Sequence, residues 1–384
     1  MHNPTSLEIL DRLIAFQTIS ADSNLDLIEW VRAYLAQHGV KSHLTFDAER
    51  RKANLLATVG RGNGGIVLSG HTDVVPVTGQ AWSTDPFQAN VRDGRVYGRG
   101  ACDMKGFIAV ALSLVPEMCS REGSRPFHLA LSYDEEIGCL GARTLIKDLV
   151  ARGLSPRGCI VGEPTEMRVV IGHKGGGMYA YSVTGLAAHS SLAPTGVNAI
   201  EYAMRIINRW VQIADRLRSS EARHEGFDVP YSTVQVNRVS GGTAGNIVAD
   251  RCDFTVDIRH LFCTDRNELL AEVDGYIQSE LIPEMRRIAP EADVTWRETG
   301  NVPGFEIARE SPLVREVAQS NSVEGSCGYV AFGSEAGLFQ NAGIPTIICG
   351  PGSIEQAHKP DEFVAIEQIE RCERMLRDVL TANL

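Results

Sequence analysis

The stretch Ile66-Val-Leu-Ser-Gly-His71-Thr-Asp73-Val-Val-Pro76 constrains this chain more than any other. An unbroken β-branched and leucine run at 66–68 reads as a strand buried on both faces, the mark of a parallel sheet. Such a strand, spanning Ile66–Ser69, delivers His71 and Asp73 past its carboxyl end, the edge where open α/β sheets hold their ligands. Residues two apart on an extended chain share a face. The imidazole can therefore stand forward with the carboxylate behind it, a common support for a metal-ligating histidine. A lone His-x-Asp pair is weak evidence; its weight comes from what the other strands deliver.

They deliver acids and a second histidine. Apolar strands are expected at Phe127–Tyr133, Cys159–Gly162 and Pro345–Cys349. The first runs into Asp134-Glu135-Glu136, the second into Glu163-Pro164, and the third into a Gly-rich loop that carries His358. Asp103 follows Gly98-Arg-Gly-Ala-Cys, at the amino end of a helix expected over Met104–Met118. Taken singly, each has a plainer reading: Asp103 as a helix cap, the acidic triplet as a solvated helix start, His358 as a loop residue. Jointly they crowd one sheet edge with carboxylates that would repel one another without a cation.

Two amphipathic helices, Thr5–Phe16 and Leu25–His38, precede strands at Lys41–Phe46 and Ala53–Val59. Gly60–Gly65 is expected to be a hairpin turn, and it lacks the Lys-Ser/Thr of a phosphate loop. Val77–Gly100 is expected to be a long functional loop. From about Gly175 the pattern changes to strand-helix-strand-strand-helix-strand, the ferredoxin-like order, up to about Gly300. The expected organisation is therefore a discontinuous α/β domain, residues 1–174 and 301–384, interrupted by an inserted domain, 175–300. Gly-rich punctuation at Gly175–Gly177 and Gly300–Gly304 marks the joints.

The chain has 384 residues, enough for two cores. Its net charge of −11, from 48 acidic and 37 basic residues, argues against nucleic acid or an anionic membrane as partner. No apolar run reaches membrane-spanning length and no secretory signal is visible at the start. Nine scattered cysteines without a Cys-x-x-Cys pair fit reduced thiols, so a cytoplasmic protein is expected.

His71, Asp103, Glu136, Glu163 and His358 make a nitrogen and oxygen donor set without thiolate, suited to Zn²⁺, Co²⁺ or Mn²⁺. Glu135, next to a ligand and able to diverge from it, is the general-base candidate for a two-ion hydrolase.

The motifs Ser-Gly-His71-Thr-Asp73, Gly98-Arg-Gly-Ala-Cys-Asp103-Met-Lys-Gly, Asp134-Glu135-Glu136-Ile-Gly, Gly162-Glu163-Pro-Thr and Ala357-His358-Lys-Pro-Asp-Glu resemble, in this order, the M20 family of di-zinc amidohydrolases. Phe332-Gly-Ser334-Glu335-Ala336 and Cys349-Gly-Pro-Gly-Ser-Ile-Glu-Gln-Ala-His358 are most similar to its acetylornithine deacetylase branch. The resemblance implies a zinc-peptidase-like catalytic domain, with a mixed central sheet flanked by helices, and an inserted ferredoxin-like α+β domain serving as lid and dimer interface. It implies two divalent ions, Zn²⁺ or Co²⁺. His71 and Glu163 would hold one, Glu136 and His358 the other, and Asp103 would bridge. Asp73 would orient His71, and Glu135 would be the base. His189 would reach a partner subunit's site to stabilise the oxyanion, making the protein a homodimer. Asn246 and Arg259 would contact the carboxylate of a small N-acyl amino acid substrate, most like N2-acetylornithine. Succinyl-diaminopimelate, another N-acyl amino acid or a dipeptide is the alternative.

Overall fold

The computed structural model describes residues 3–121, 125–321 and 327–381. The sequence also predicts a final helix within Glu362–Leu384, a span whose last three residues lie outside this set. In chain order the strands are β1 (Ser42–Phe46), β2 (Ala53–Val59), β3 (Ile66–His71), β4 (Asn90–Arg92), β5 (Arg95–Tyr97), β6 (Phe127–Ser132), β7 (Gly158–Val161), β8 (Val170–His173), β9 (Gly175–Thr184), β10 (Thr233–Gly241), β11 (Arg251–His260), β12 (Asp293–Val302), β13 (Phe305–Glu306), β14 (Gly328–Val330), β15 (Thr346–Ile348) and β16 (Phe363–Ala365).

The chain divides into two compact units. The first takes the residues up to His173, Phe305–Val330 and those from Ser334 on; the second is Lys174–Gly304 with Ala331–Gly333. The insertion's crossings thus fall at 173/174 and 304/305, with a brief second visit at 331–333. Of the glycines read as joints, Gly175–Gly177 open β9 and Gly300 lies in β12, while Gly304 stands at the second of these crossings. They leave room for neighbours, since a Cβ on Gly175 would stand 2.2 Å from the His260 ring and one on Gly177 2.7 Å from the Tyr179 hydroxyl.

The first unit is built on a mixed sheet in the order β1-β2-β6-β3-β7-β15-β8-β13, with β14 on β8. Its centre, β6, β3, β7 and β15, is parallel. Both faces are covered, so β3 alternates between two cores. Ile66 and Leu68 pack with helices Ser6–Ile14, Leu25–Gln37, Gly106–Ser113 and Ile366–Thr381, while Val67 packs with helix Leu140–Ala151. That double burial is why the run has no polar break. Thr5 caps the first helix in a capping box with Glu8.

Several expectations change. Gly60–Gly65 is no hairpin: β6 lies between β2 and β3, so the segment crosses over it. β3 extends to His71, which is a strand residue. The Val77–Gly100 loop contains the β4–β5 hairpin, which joins β16 in a small third sheet. The helix expected over Met104–Met118 is broken. A π-type turn covers Ala101–Lys105, with Asp103 itself non-helical (φ −122°, ψ 91°), and helices then span Gly106–Ser113 and Val115–Ser120. Asp103 is therefore not a helix cap. Gly162 must be glycine for packing: a Cβ would lie 2.0 Å from the Phe107 ring of the helix beneath.

The second unit is an antiparallel sheet in the order β10-β11-β9-β12. One face, with Tyr179, Tyr181, Phe254, Val256 and Ile258, packs on helix Ala199–Ser220 and on Arg266–Tyr276. The sequence pattern predicts the first of its helices over Gly196–Arg218; it starts later, at Ala199, after a 3₁₀ turn at Ser190–Thr195 that contains Pro194. The pattern predicts the second over Asp265–Ile288, and a π turn at Ile277–Leu281, ahead of Pro283, interrupts it. All nine cysteines are free. No helix among the described residues is long and apolar enough to cross a membrane.

His128, fully buried in β6, is held neutral. The Gly64 carbonyl can only accept, so Nε2 carries the proton (2.6 Å), and Nδ1 accepts from the Thr58 hydroxyl (2.9 Å). Burial lowers its pKa below the ordinary 6.5. The unfolded chain then binds the proton first, so stability is complete above about pH 6.5 and falls as pH drops below it. Denaturant titrations should show His128→Gln losing less stability than the parent between pH 7 and 5; equal losses would remove His128 from the acid response.

Candidate metal centre

Four adjacent parallel strands end on one edge, and each passes chain into the same place. His71 is the last residue of β3. Glu135 and Glu136 follow β6, Glu163 follows β7, and His358 stands in the loop after β15. Asp103 enters from the broken turn at Ala101–Lys105. Its Oδ1 lies 3.0 Å from His71 Nε2 and its Oδ2 3.2 Å from His358 Nε2. Glu163 is 3.9 Å from His71 Nε2, and both Glu136 oxygens are within 3.1 Å of His358 Nε2. Ligand atoms of His71, Glu135 and Glu163, and of His71, Asp103 and Glu136, lie within 4.8 Å of one another.

The supports differ from the expectation in one respect. His71 Nδ1 donates to the backbone carbonyl of Asp73 (2.9 Å), with the Asp73 carboxylate 3.6 Å away. In the neutral ring this leaves the lone pair on Nε2, facing the acids. The Asp73 carboxylate instead organises the next strand's exit. It accepts the N–H groups of Glu135 (3.0 Å) and Glu136 (3.3 Å) and the Ser20 hydroxyl (2.7 Å). Asp134 begins that turn with a left-handed backbone (φ 53°) and is fixed by a buried ion pair with Lys52 and by the Ala21 N–H (3.1 Å).

The electrostatics call for positive charge. Burial would lower His71, yet hydrogen bonds with Asp103 and Asp73 and the Glu163 charge hold it well above its ordinary range. Hydrogen bonds with Asp103 and Glu136 push His358 up to about 10. Burial raises Glu163 and Glu136, and the Asp103 charge adds to both. Asp103 itself stays low, because two imidazoles outweigh its burial. Burial drives Glu135 up to about 8, the pull of His71 being opposed by the Glu136 charge, and the Cys139 thiol lies 3.1 Å from its Oε1. Protons here do what a cation would do better: they neutralise an acidic cup faced by two imidazoles. The residues therefore fit a divalent ion with nitrogen and oxygen preference.

The other three sequence candidates belong to the second unit. His189 is exposed and caps the 3₁₀ turn; its Nδ1 accepts from the Ser191 N–H (3.2 Å), leaving the proton to Nε2. A bridge between His189 and Ile247 and the bond from Ser190 N–H to the Asn246 carbonyl (2.9 Å) bring His189 and Asn246 side by side. Arg259, on β11, already grips Asp257 with two hydrogen bonds of 2.9 and 3.2 Å.

Sequence reasoning gave no role to Glu335. Fully buried, it accepts hydroxyls from Ser69 of β3 and Ser132 of β6 (2.9 Å to the latter), so it buttresses the two strand ends from behind. An acid set between small residues in Gly333-Ser-Glu335-Ala-Gly was the available signal.

Residues 67–382 match the model for peptidase family M20/M25/M40. The chain is 35% identical over 387 residues to an acetylornithine deacetylase of Pasteurella multocida, covering 98% of this chain and 97% of that protein. The fold is similar to that of an M20 metallo-carboxypeptidase of Sulfolobus solfataricus (TM-score 0.76, 18% identity, 98% of each chain). It is also similar to a dinuclear metal-binding M20 peptidase of Bacillus subtilis (TM-score 0.62, 14% identity, 98% of this chain and 97% of that one). Sequence match, fold and the ordered motifs agree: this chain belongs to peptidase family M20/M25/M40.

Proposed function

We propose that this protein hydrolyses the amide of an N-acetyl amino acid, N2-acetylornithine above others, to ornithine and acetate. One observation carries the reading: the two oxygens of Asp103 each face a different histidine, the arrangement a bridging carboxylate requires. The long relative named acetylornithine deacetylase supplies the substrate. His71 and Glu163 would hold one ion, Glu136 and His358 a second, with Asp103 between; zinc or cobalt suits this set. The bound ions would polarise the amide carbonyl and make water acidic enough to attack near neutral pH.

The chain's own groups do the rest. Glu135 takes the proton of the attacking water and returns it to the leaving amine, its backbone held beside Glu136 by the Asp73 carboxylate. Asp73 keeps the Glu135 backbone in place while its carbonyl orients His71. His189, with its proton on Nε2, donates to the developing oxyanion. Arg259 exchanges Asp257 for the substrate's α-carboxylate, which suits a planar fork. Asn246, beside His189, adds a polar contact.

His189 serves a partner copy's site in a homodimer formed through the second unit. Support comes from β10, which pairs only with β11 among the described residues. Beside it helix Ala199–Ser220 exposes Met204 (62%) and Val211 (47%) and β10 exposes Val239 (55%). Reduced thiols and an acidic surface suit the cytoplasm.

A panel of N2-acetylornithine, succinyl-diaminopimelate, other N-acyl amino acids and dipeptides tests the substrate; a dipeptide turned over fastest would replace it. Glu135→Gln should lower kcat about 10³-fold with metal content unchanged; near-parental turnover would remove Glu135 as base. Exhaustive chelation should abolish activity, and zinc or cobalt should restore it. Val211→Glu should shift sedimentation from dimer toward monomer; an unchanged dimer would place the interface elsewhere.

A further inference from the structure

Glu362 is a carboxylate that the reaction leaves idle, and it is 1% exposed. Its Oε1 accepts the N–H groups of Cys102 (2.9 Å) and Asp103 (3.1 Å). Its Oε2 accepts the Gly100 N–H (3.1 Å) and Arg99 Nη1 (2.6 Å). These amides precede or open the turn at Ala101–Lys105, so no carbonyl a turn back takes them, and they converge on the carboxylate as a nest does on an anion. Arg99, itself 1% exposed, passes Nη2 on to Gln80 Oε1 (2.5 Å), which also accepts from Trp82 Nε1 (3.0 Å). Gln80 Nε2 then donates to the backbone carbonyl of His358 (2.9 Å). His358 holds a left-handed backbone (φ 62°), which a non-glycine residue keeps only when its surroundings impose it.

The polar path therefore begins at the amide of Asp103 and ends at the carbonyl of His358. We propose that Glu362, Arg99 and Gln80 are positioning residues that set the His358 imidazole against the Asp103 carboxylate and so determine occupancy of the second ion position. The proposal rests on the two-ion reading above. Groups behind a ligand commonly change metal affinity 10- to 100-fold. The two ends of the path should behave differently. Gln80 bonds the His358 carbonyl and meets Asp103 only through Arg99 and Glu362, whereas Glu362 holds the Asp103 amide directly, at the acid both ions would share.

The test is zinc and cobalt uptake in buffered metal, with the visible spectrum of the cobalt protein, kcat and KM for the preferred amide, and thermal melting of the metal-free protein. The parent should take up two equivalents; fewer would overturn the two-ion reading itself. Gln80→Ala should keep the first equivalent and weaken the second at least about 10-fold. Its kcat should fall at limiting metal and recover with excess metal, with KM little changed. Glu362→Gln should weaken both equivalents, and Glu362→Asp should restore part of the loss. Two equivalents bound by Gln80→Ala with parental affinity would overturn the proposal even if Glu362→Gln failed to fold, because the path would then be a staple of the fold alone.

Discussion

Asp103 touches an imidazole with each of its carboxylate oxygens, 3.0 Å to His71 and 3.2 Å to His358, and this buried acid joins the two halves of the centre. Everything around it manages the cost of putting further carboxyls nearby. The parallel strands β6, β3, β7 and β15 bring Glu135, Glu136, Glu163 and His358 to the same edge without any long excursion. Behind them Glu335 ties two strand ends through serine hydroxyls, and Asp73 spends its carboxylate on backbone amides. Charge that cannot be solvated is thus balanced by imidazole in front and by hydrogen-bond donors behind.

Much of this was legible in the residues. The apolar run of β3 is continuous because both its faces are covered, and the amphipathic stripes of Ser6–Ile14 and Ile366–Thr381 are narrow and regular. Glu135, Glu136 and Glu163 stood out because they directly follow such runs; Asp103 and His358, on a turn and a loop, gained weight only beside them. What stayed hidden depends on pairing between distant segments. Three-residue strands such as β5 and β16 carry too little pattern to be seen until they meet. The segment Gly60–Gly65 has the composition of a hairpin, and only the insertion of β6 makes it a crossover. The glycines of β9 look like a linker, but they are flat sheet surface over which His260, Arg259 and Tyr179 lie.

The centre's supports were hidden for a related reason. Glu362 looks like an ordinary surface acid in one dimension, and Glu335 shows only its small neighbours, not what it holds. Their meaning comes from donors far along the chain, Ser69 for one and the amides at Gly100, Cys102 and Asp103 for the other. Asp103 was placed beside a helix start by residues that do favour helix, from Gly106 on. Its own backbone is turned out of the helix, so the side chain can reach both histidines.

The order of the segments has a consequence for how the centre comes into being. His358 and Glu362 are synthesised only after the whole second unit, so a nascent chain that has emitted β7 holds most of the donors but not the closing histidine. The second unit shortens that wait. β12 runs antiparallel beside β9, with Val302 opposite Gly176, so the ends of the insertion lie next to each other once its sheet has formed. A loop of roughly 130 residues then behaves as one of a few, about five halvings and about 3 kcal/mol less closure entropy for the returning chain to overcome. In kinetic terms the insertion acts as a prefolded turn that shortens the return of the chain after β12.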